Sequence, residues 1–242
     1  MTNAVEEKTV GIMGGLGPLA TLDFFAKLLS ATTAESEQDH LHIIIENNPK
    51  VPNRHAAING TGPDATPYLV QMASNLERAG ADFVVMACNT AHAFQKDIED
   101  AITVPFVSII DEVVAELREH FGGLSSVGLM AAEGCLAAQL YQRALEKSGL
   151  DPVVWTDHEI ATFMSIVYRI KAGERTEDIR VALIDLANLL TKRGAEVIVA
   201  GCTEVPMILS PADLNVPLIS STDLLVKRTI AYAKGEIALS GI

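Results

Sequence analysis

The chain is poor in aromatic residues, in positive charge and in cysteine, and it has no long apolar run. Phe, Trp and Tyr make up 5% of its 242 residues, with a single tryptophan, while 49% of the chain is hydrophobic. An apolar content made mostly of small aliphatic side chains fits an α/β protein with well-buried sheets. Lysine and arginine number 18 against 31 aspartates and glutamates, a net charge of −13. Nucleic acid and anionic membrane surfaces both require a positive footprint, so neither is expected as a partner. An acidic ligand would need cations placed locally. No apolar stretch approaches the ~18 residues of a membrane span, and Met1 to Thr9 has no hydrophobic region of a signal peptide. The expected location is the cytoplasm. The cysteines, Cys88, Cys135 and Cys202, form no C-x-x-C pair, so neither a disulfide framework nor a structural metal site is expected. Reduced thiols are then left with packing or chemistry to do.

What the chain does have is a repeat. Met86-Ala87-Cys88-Asn89-Thr90-Ala91-His92 returns as Ala200-Gly201-Cys202-Thr203-Glu204-Val205-Pro206, and the residues upstream agree: Gly80-Ala81-Asp82-Phe83-Val84-Val85 against Gly194-Ala195-Glu196-Val197-Ile198-Val199. The offset is 114 residues, from 88 to 202. Val127-Gly128-Leu129-Met130 echoes Val10-Gly11-Ile12-Met13 at an offset of 117, and Leu214 to Asp223 echoes Ile102 to Asp111 at 112. These echoes lay the first half of the chain on the second. Two lobes related by a pseudo-two-fold axis would turn the two cysteines toward each other across a shared cleft.

Apolar periodicity and turn residues supply the elements. Thr9 to Met13 reads as a strand closing on Gly14-Gly15-Leu16-Gly17-Pro18, with Pro18 suited to the first turn of a helix that follows. His42 to Ile45 is the second strand, ending in the loop Glu46 to Arg54, which is too rich in proline and asparagine to continue a sheet. Tyr68 to Ala79 and His92 to Ala101 read as helices, and Thr103 to Asp111 as a strand. Alternating strands and helices predict an α/β fold with one parallel sheet per lobe, flanked by helices. Val104-Pro105 and Val216-Pro217 mark expected crossings between lobes and candidate hinges. The first lobe is then residues 1–103 plus 215–242, and the second is 104–214.

Ligands of such sheets sit outside the carboxyl ends of the strands, where both Cys88 and Cys202 fall. A thiol at a helix N-terminus feels the macrodipole and is expected to ionise more readily than a free cysteine. One buried cysteine is ordinarily a small core residue, but a pair at matching strand ends favours chemistry. Cys135 has no counterpart and is expected to pack. Asn89, Thr90 and Thr203 offer groups that bind carboxylates, and Arg54 can grip one bidentately. Lys171 stands at a helix end before Gly173, where a C-cap lysine is ordinary. His92, Glu204, Asp111 and Asp223 have plain readings as helix-start residues. A rival reading takes Gly15-Leu16-Gly17-Pro18-Leu19-Ala20 as a dinucleotide loop with Glu46 as its ribose-binding acid. It leaves the repeat and the cysteine pair unexplained.

Four stretches together carry a specific likeness. Gly11 to Thr21, Asn47-Asn48-Pro49-Lys50-Val51-Pro52-Asn53-Arg54, Cys88-Asn89-Thr90-Ala91-His92 and Gly201-Cys202-Thr203-Glu204 resemble the aspartate racemase branch of the Asp/Glu (aspartate/glutamate/hydantoin) racemase family over nearly the whole chain. Glu204, where glutamate racemases are expected to carry histidine, favours that branch. The resemblance implies an isomerase that interconverts L- and D-aspartate, with glutamate second, and does so without pyridoxal phosphate or metal. Cys88 and Cys202 would be its acid/base pair, one taking the α-proton as thiolate and the other delivering a proton to the opposite face. Arg54 and Lys171 would contact substrate carboxylates, Asn89, Thr90 and Thr203 would bind the α-carboxylate, and Leu16 and Asn48 would complete the substrate contacts. A homodimer is also implied. The chain departs from the family at Ala132 and Cys135, where threonines are usual, and at Val167, where an aromatic is usual. The alternatives are a broad-specificity amino-acid racemase, a related cysteine-dependent isomerase or lyase, and a catalytically idle amino-acid-binding protein.

Overall fold

A computed structural model describes residues 7–239. Positions 1–6 and 240–242, which the expected first lobe and the expected leaderless N-terminus include, lie outside the described residues. In chain order the elements are β1 (Val10–Gly14), α1 (Pro18–Ala31), β2 (Ile43–Asn47), α2 (Arg54–Ile58), α3 (Thr66–Arg78), β3 (Phe83–Met86), α4 (Gln95–Glu99), β4 (Phe106–Val107) and α5 (Ile109–His120). There follow β5 (Ser126–Leu129), α6 (Glu133–Ala137), α7 (Leu140–Lys147), β6 (Asp151–Val153), α8 (Asp157–Lys171), α9 (Glu177–Lys192), β7 (Val197–Ala200), β8 (Leu218–Ser220) and α10 (Ser221–Ala233). The strands form two four-stranded sheets, β2-β1-β3-β4 and β6-β5-β7-β8, and every pairing is parallel. The same order in both halves is the two-lobed α/β fold expected from the repeat.

Strands buried on both faces read as continuous apolar runs, and the pleat then sends alternate residues to opposite sides. In β3 and the residue after it, Phe83, Val85 and Ala87 join a core shared by both lobes, while Val84, Met86 and Cys88 face a first-lobe core under α3. In β7, Val197 and Val199 join the same shared core, while Ile198, Ala200 and Cys202 face a second-lobe core under α8 and α9. The two glycines of the echo serve one purpose. A Cβ on Gly11 would lie 2.8 Å from Ala81 Cβ, and one on Gly128 would lie 2.9 Å from Ala195 Cβ. Both lobes bring backbone against an alanine at a matching place.

Several expected boundaries move. The strand expected over Thr103 to Asp111 is two residues long, because Ser108 caps α5 by accepting from Asp111 N. The β-branched run continues into that helix, so periodicity alone could not mark the change. Ser220 caps α10 in the same way through Asp223 N. The helix expected over 92–101 divides into a 3-10 turn, Thr90–Phe94, followed by α4. The lobe bounds of 103 and 214 fall short of the last strand of each sheet: β4 pairs with β3, and β8 pairs with β7. The chain therefore changes lobes at Ser108 and Ser220, where each short strand gives way to a helix. After the second crossing α10 packs along α1 and α5. Among the described residues no helix is long and apolar enough to cross a membrane.

Candidate active site

Cys88 and Cys202 each sit two residues beyond the end of a central strand, β3 and β7, and the two strand ends meet between the lobes. Of the predicted site residues, Leu16, Arg54, Cys88, Asn89, Thr90, Lys171, Cys202 and Thr203 line one cavity there, with His55, Ala132 and Glu204 beside them. Asn48 is not among them. Its side chain accepts from Lys50 N, closing its own turn, and it lines a separate cavity beside Glu46. Glu46 in turn accepts from Asn75 Nδ2, and the Leu16 carbonyl accepts from Arg54. The groups of the dinucleotide reading are thus engaged elsewhere. The space between the thiols admits ≈ 20 Å³ of water-sized occupants, room for about one water molecule. A groove of ≈ 870 Å³ between α1 and α10 contains neither thiol and none of the predicted site residues.

The Cys88 loop is held by a histidine. His92 is buried, its Nε2 accepts from Ile109 N at 3.1 Å, and its Nδ1 lies 2.9 Å from the Cys88 carbonyl. Because Nε2 accepts, the proton belongs on Nδ1, which donates to that carbonyl. Burial keeps the ring neutral, with its pKa lowered to about 4. The turn after β3 is thereby tied to the start of α5.

Asn89 makes contacts the sequence did not signal. Its amide donates to Ser221 Oγ at 3.2 Å and its carbonyl accepts from Tyr141 O–H at 2.6 Å, while Ser221 donates to the Ala200 carbonyl at the end of β7. A side chain that lines the cavity is also a bolt between the lobes. The sequence carried no signal for Tyr141 or Ser221, which lie 52 and 132 residues from their partner.

Two cations reach the cavity. Asn53 caps α2 by accepting from His55 N and Ala56 N, which places Arg54 and His55 at the first turn. The Arg54 guanidinium donates to the carbonyls of Val51, Pro52 and Leu16, three contacts for five N–H groups. No carboxylate pairs with it among the described residues. Lys171 is the last residue of α8, whose Phe163, Val167 and Ile170 anchor it in the second-lobe core. Its ammonium lies 3.7 Å from Glu204 Oε1. Burial works against that charge, but the Glu204 carboxylate, foremost among its neighbours, outweighs it and holds the Lys171 pKa above its ordinary value. His55 crosses the cleft, its Nδ1 accepting from Gly134 N at 3.0 Å. Burial, reinforced by Lys171 and Arg54, lowers its pKa to about 4.

The expected easy ionisation of the thiols fails at Cys202. Its Sγ–H donates to Glu204 Oε2 at 3.0 Å, and burial first, then Glu204, pushes its pKa well above the free value while Lys171 opposes. Neither cysteine begins an α-helix: short 3-10 turns follow both, so little macrodipole is available to offset burial. Cys135 packs in the shared core, as expected of a cysteine without a counterpart, and burial raises its pKa. His55 was missed although it follows Arg54 in the same loop. Glu204 had a plain helix-start reading and a part in the family resemblance, but no expected contact with the thiol, although it is the acidic departure of the second copy from Thr90 in the first.

Two parallel sheets of one order thus bring a thiol from each central strand end, together with two cations, to one cavity. The sequence profile of the Asp/Glu/Hydantoin racemase family matches residues 13–229, and the chain belongs to that family. The chain is 24% identical to the broad specificity amino-acid racemase RacX of Bacillus subtilis, over 92% of this chain and 96% of the relative. Among solved structures it is similar to the aspartate racemase of Picrophilus torridus, with a TM-score of 0.82 and 28% identity, covering 94% of each chain. An aspartate racemase homologue from Pyrococcus horikoshii gives a TM-score of 0.74 and 26% identity, covering 93% of this chain and 99% of that one.

Proposed function

We propose that the chain racemises aspartate by a two-base mechanism in which Cys88 and Cys202 work on opposite faces of the α-carbon. The observation that carries this reading is the pair of thiols at equivalent strand ends, one from each lobe, lining one cavity. An α-proton is weakly acidic, so its base must be close and desolvated. A thiolate on one side takes the proton, the electron pair spreads into the α-carboxylate, and a thiol on the other side protonates the carbon. Thr90, Thr203 and the backbone N–H groups of the two cysteine loops hold the α-carboxylate and stabilise the charge that develops on it.

Charge supports an acidic substrate. Arg54 and Lys171 bring two positive charges to the cavity, against the Glu204 carboxylate and the thiolate that acts as base. The free N–H groups of Arg54 and the Lys171 ammonium receive its side-chain carboxylate. Ala132 on the opposite wall adds no hydrogen bond and leaves selection to the cations. Substrate enters when the lobes part at Ser108 and Ser220 and the His55 to Gly134 contact opens, and closure then excludes water.

The test is proton NMR in deuterated water with L-aspartate, L-glutamate and a panel of neutral amino acids, with chiral analysis of the product. Loss of the α-proton signal with appearance of D-aspartate is the expected result. Faster turnover of neutral amino acids than of aspartate would replace the reading with a broad-specificity racemase. No exchange with any amino acid would refute it.

A further inference from the structure

The two thiols do not have equivalent neighbours. Cys202 Sγ–H donates to Glu204 Oε2 at 3.0 Å, and the Thr203 hydroxyl donates to the same oxygen at 3.2 Å. The other carboxylate oxygen faces Lys171 at 3.7 Å. Glu204 is 4% exposed, so these three partners replace the water that a carboxylate otherwise keeps. The matching position after Cys88 is the neutral Thr90, and the histidine of that loop binds the Cys88 carbonyl rather than its sulfur. The repeat has been broken at one residue, and the change puts a charge against one sulfur only.

We infer that Glu204 is a positioning residue that keeps Cys202 as the thiol in the resting cleft, leaving Cys88 as the base that meets substrate first. This makes a pseudo-symmetric pair chemically one-handed, and it rests on the two-thiol reading above. In that step the Cα–H bond breaks as an S–H bond forms on Cys88, the electron pair passes to Cα and its carboxylate, and the Cys202 S–H bond breaks as its proton reaches the opposite face. The thiolate left on Cys202 then faces the Glu204 carboxylate, with Lys171 as the cation paired to that carboxylate. Its affinity for a proton rises, and moving one proton from the Cys88 sulfur to the Cys202 sulfur restores the resting form. Glu204 neither gains nor loses a proton in this sequence. The other titratable or charged groups facing the spot are Arg54 and His55 on α2, Cys88 after β3 and Tyr141 on α7.

The test is peptide-resolved alkylation by iodoacetamide of the whole protein through a pH series. In the unmodified protein Cys88 is expected to react at lower pH than Cys202. Glu204→Gln should lower the Cys202 midpoint by about one pH unit, which is ~10-fold faster alkylation at a fixed pH below it. The Cys88 profile should stay in place, and Glu204→Asp, which keeps the charge, should preserve the original order. Lys171→Met leaves the carboxylate and removes its counter-charge, so it should move the Cys202 midpoint upward and gives a second reading if Glu204→Gln does not fold. Cys202 reacting first in the unmodified protein, an unmoved midpoint in folded Glu204→Gln, or a downward move in Lys171→Met would each overturn the inference. Alkylation needs no turnover, so failure of racemisation in the NMR assay would refute the proposed reaction without altering this order.

Discussion

Compared strand by strand, β3 and β7 do the same work: each sends alternate residues to the shared core and to an outer core, and each delivers a cysteine two residues past its end. The loops that follow differ. After Cys88, a neutral histidine ties the loop backbone to α5 and Asn89 bolts it to Tyr141 and Ser221 across the cleft. After Cys202, a carboxylate turns back onto the sulfur itself and meets Lys171. Duplication preserved what burial demands, and the two loops diverged where side chains face the cavity. One loop fixes geometry; the other sets charge.

The comparison breaks most completely if either sulfur is removed. Cys88→Ala or Cys202→Ala should cost about 10³-fold or more in racemisation, within the range that one general acid or base supplies, while circular dichroism stays unchanged. Near-normal turnover in either variant, measured by chiral chromatography, would remove that thiol from the mechanism. Next in size is Arg54→Ala, expected to lower kcat/KM for aspartate by about 10²-fold, the worth of one or two charge-assisted hydrogen bonds. Turnover of alanine should fall much less. An equal loss for both substrates would reduce Arg54 to its contacts with the three carbonyls.

The bolt gives a smaller effect, on stability. Tyr141→Phe leaves the Asn89 carbonyl oxygen buried without its donor and should cost about 1–3 kcal/mol in urea unfolding. A loss below that range would mean that water replaces the phenol. The smallest expected effect is on pH dependence. His55 and His92 both have folded pKa values lowered from 6.5 to about 4, so the unfolded chain binds protons more readily between those values. Stability is therefore fully present above pH 6.5 and declines as the pH falls toward 4. His92→Gln should flatten part of that decline, and an unaltered slope would contradict the burial of a neutral ring.

Much of this was legible in the sequence because burial on both faces of a strand leaves a strong record. Gly11 with Gly128 and Ala81 with Ala195 hold equivalent close contacts, Cys88 and Cys202 hold equivalent strand-end positions, and their spacing revealed two lobes and the pair of thiols. Helix starts within β-branched runs were not legible: Ser108 and Ser220 carry the capping information, and nothing in apolar periodicity distinguishes Ile109-Ile110 in a helix from the same residues in a strand. The contacts of Asn89 with Tyr141 and Ser221 were not legible because an amide beside a cysteine looks the same whether its partner is a ligand or a distant tyrosine. Asn48 was misplaced for a related reason, since its side chain is consumed by its own turn. The fate of Glu204 depended on its rotamer, and the sequence offered only its asymmetry with Thr90.

The most direct test of the central claim follows deuterium in the early turnover of L-aspartate in deuterated water. Two thiols on opposite faces predict one deuteron at the α-carbon of each D-aspartate formed and an undeuterated pool of remaining L-aspartate. Deuterium entering recovered L-aspartate as fast as D-aspartate appears would mean that one base serves both faces, and the paired-thiol account would be wrong.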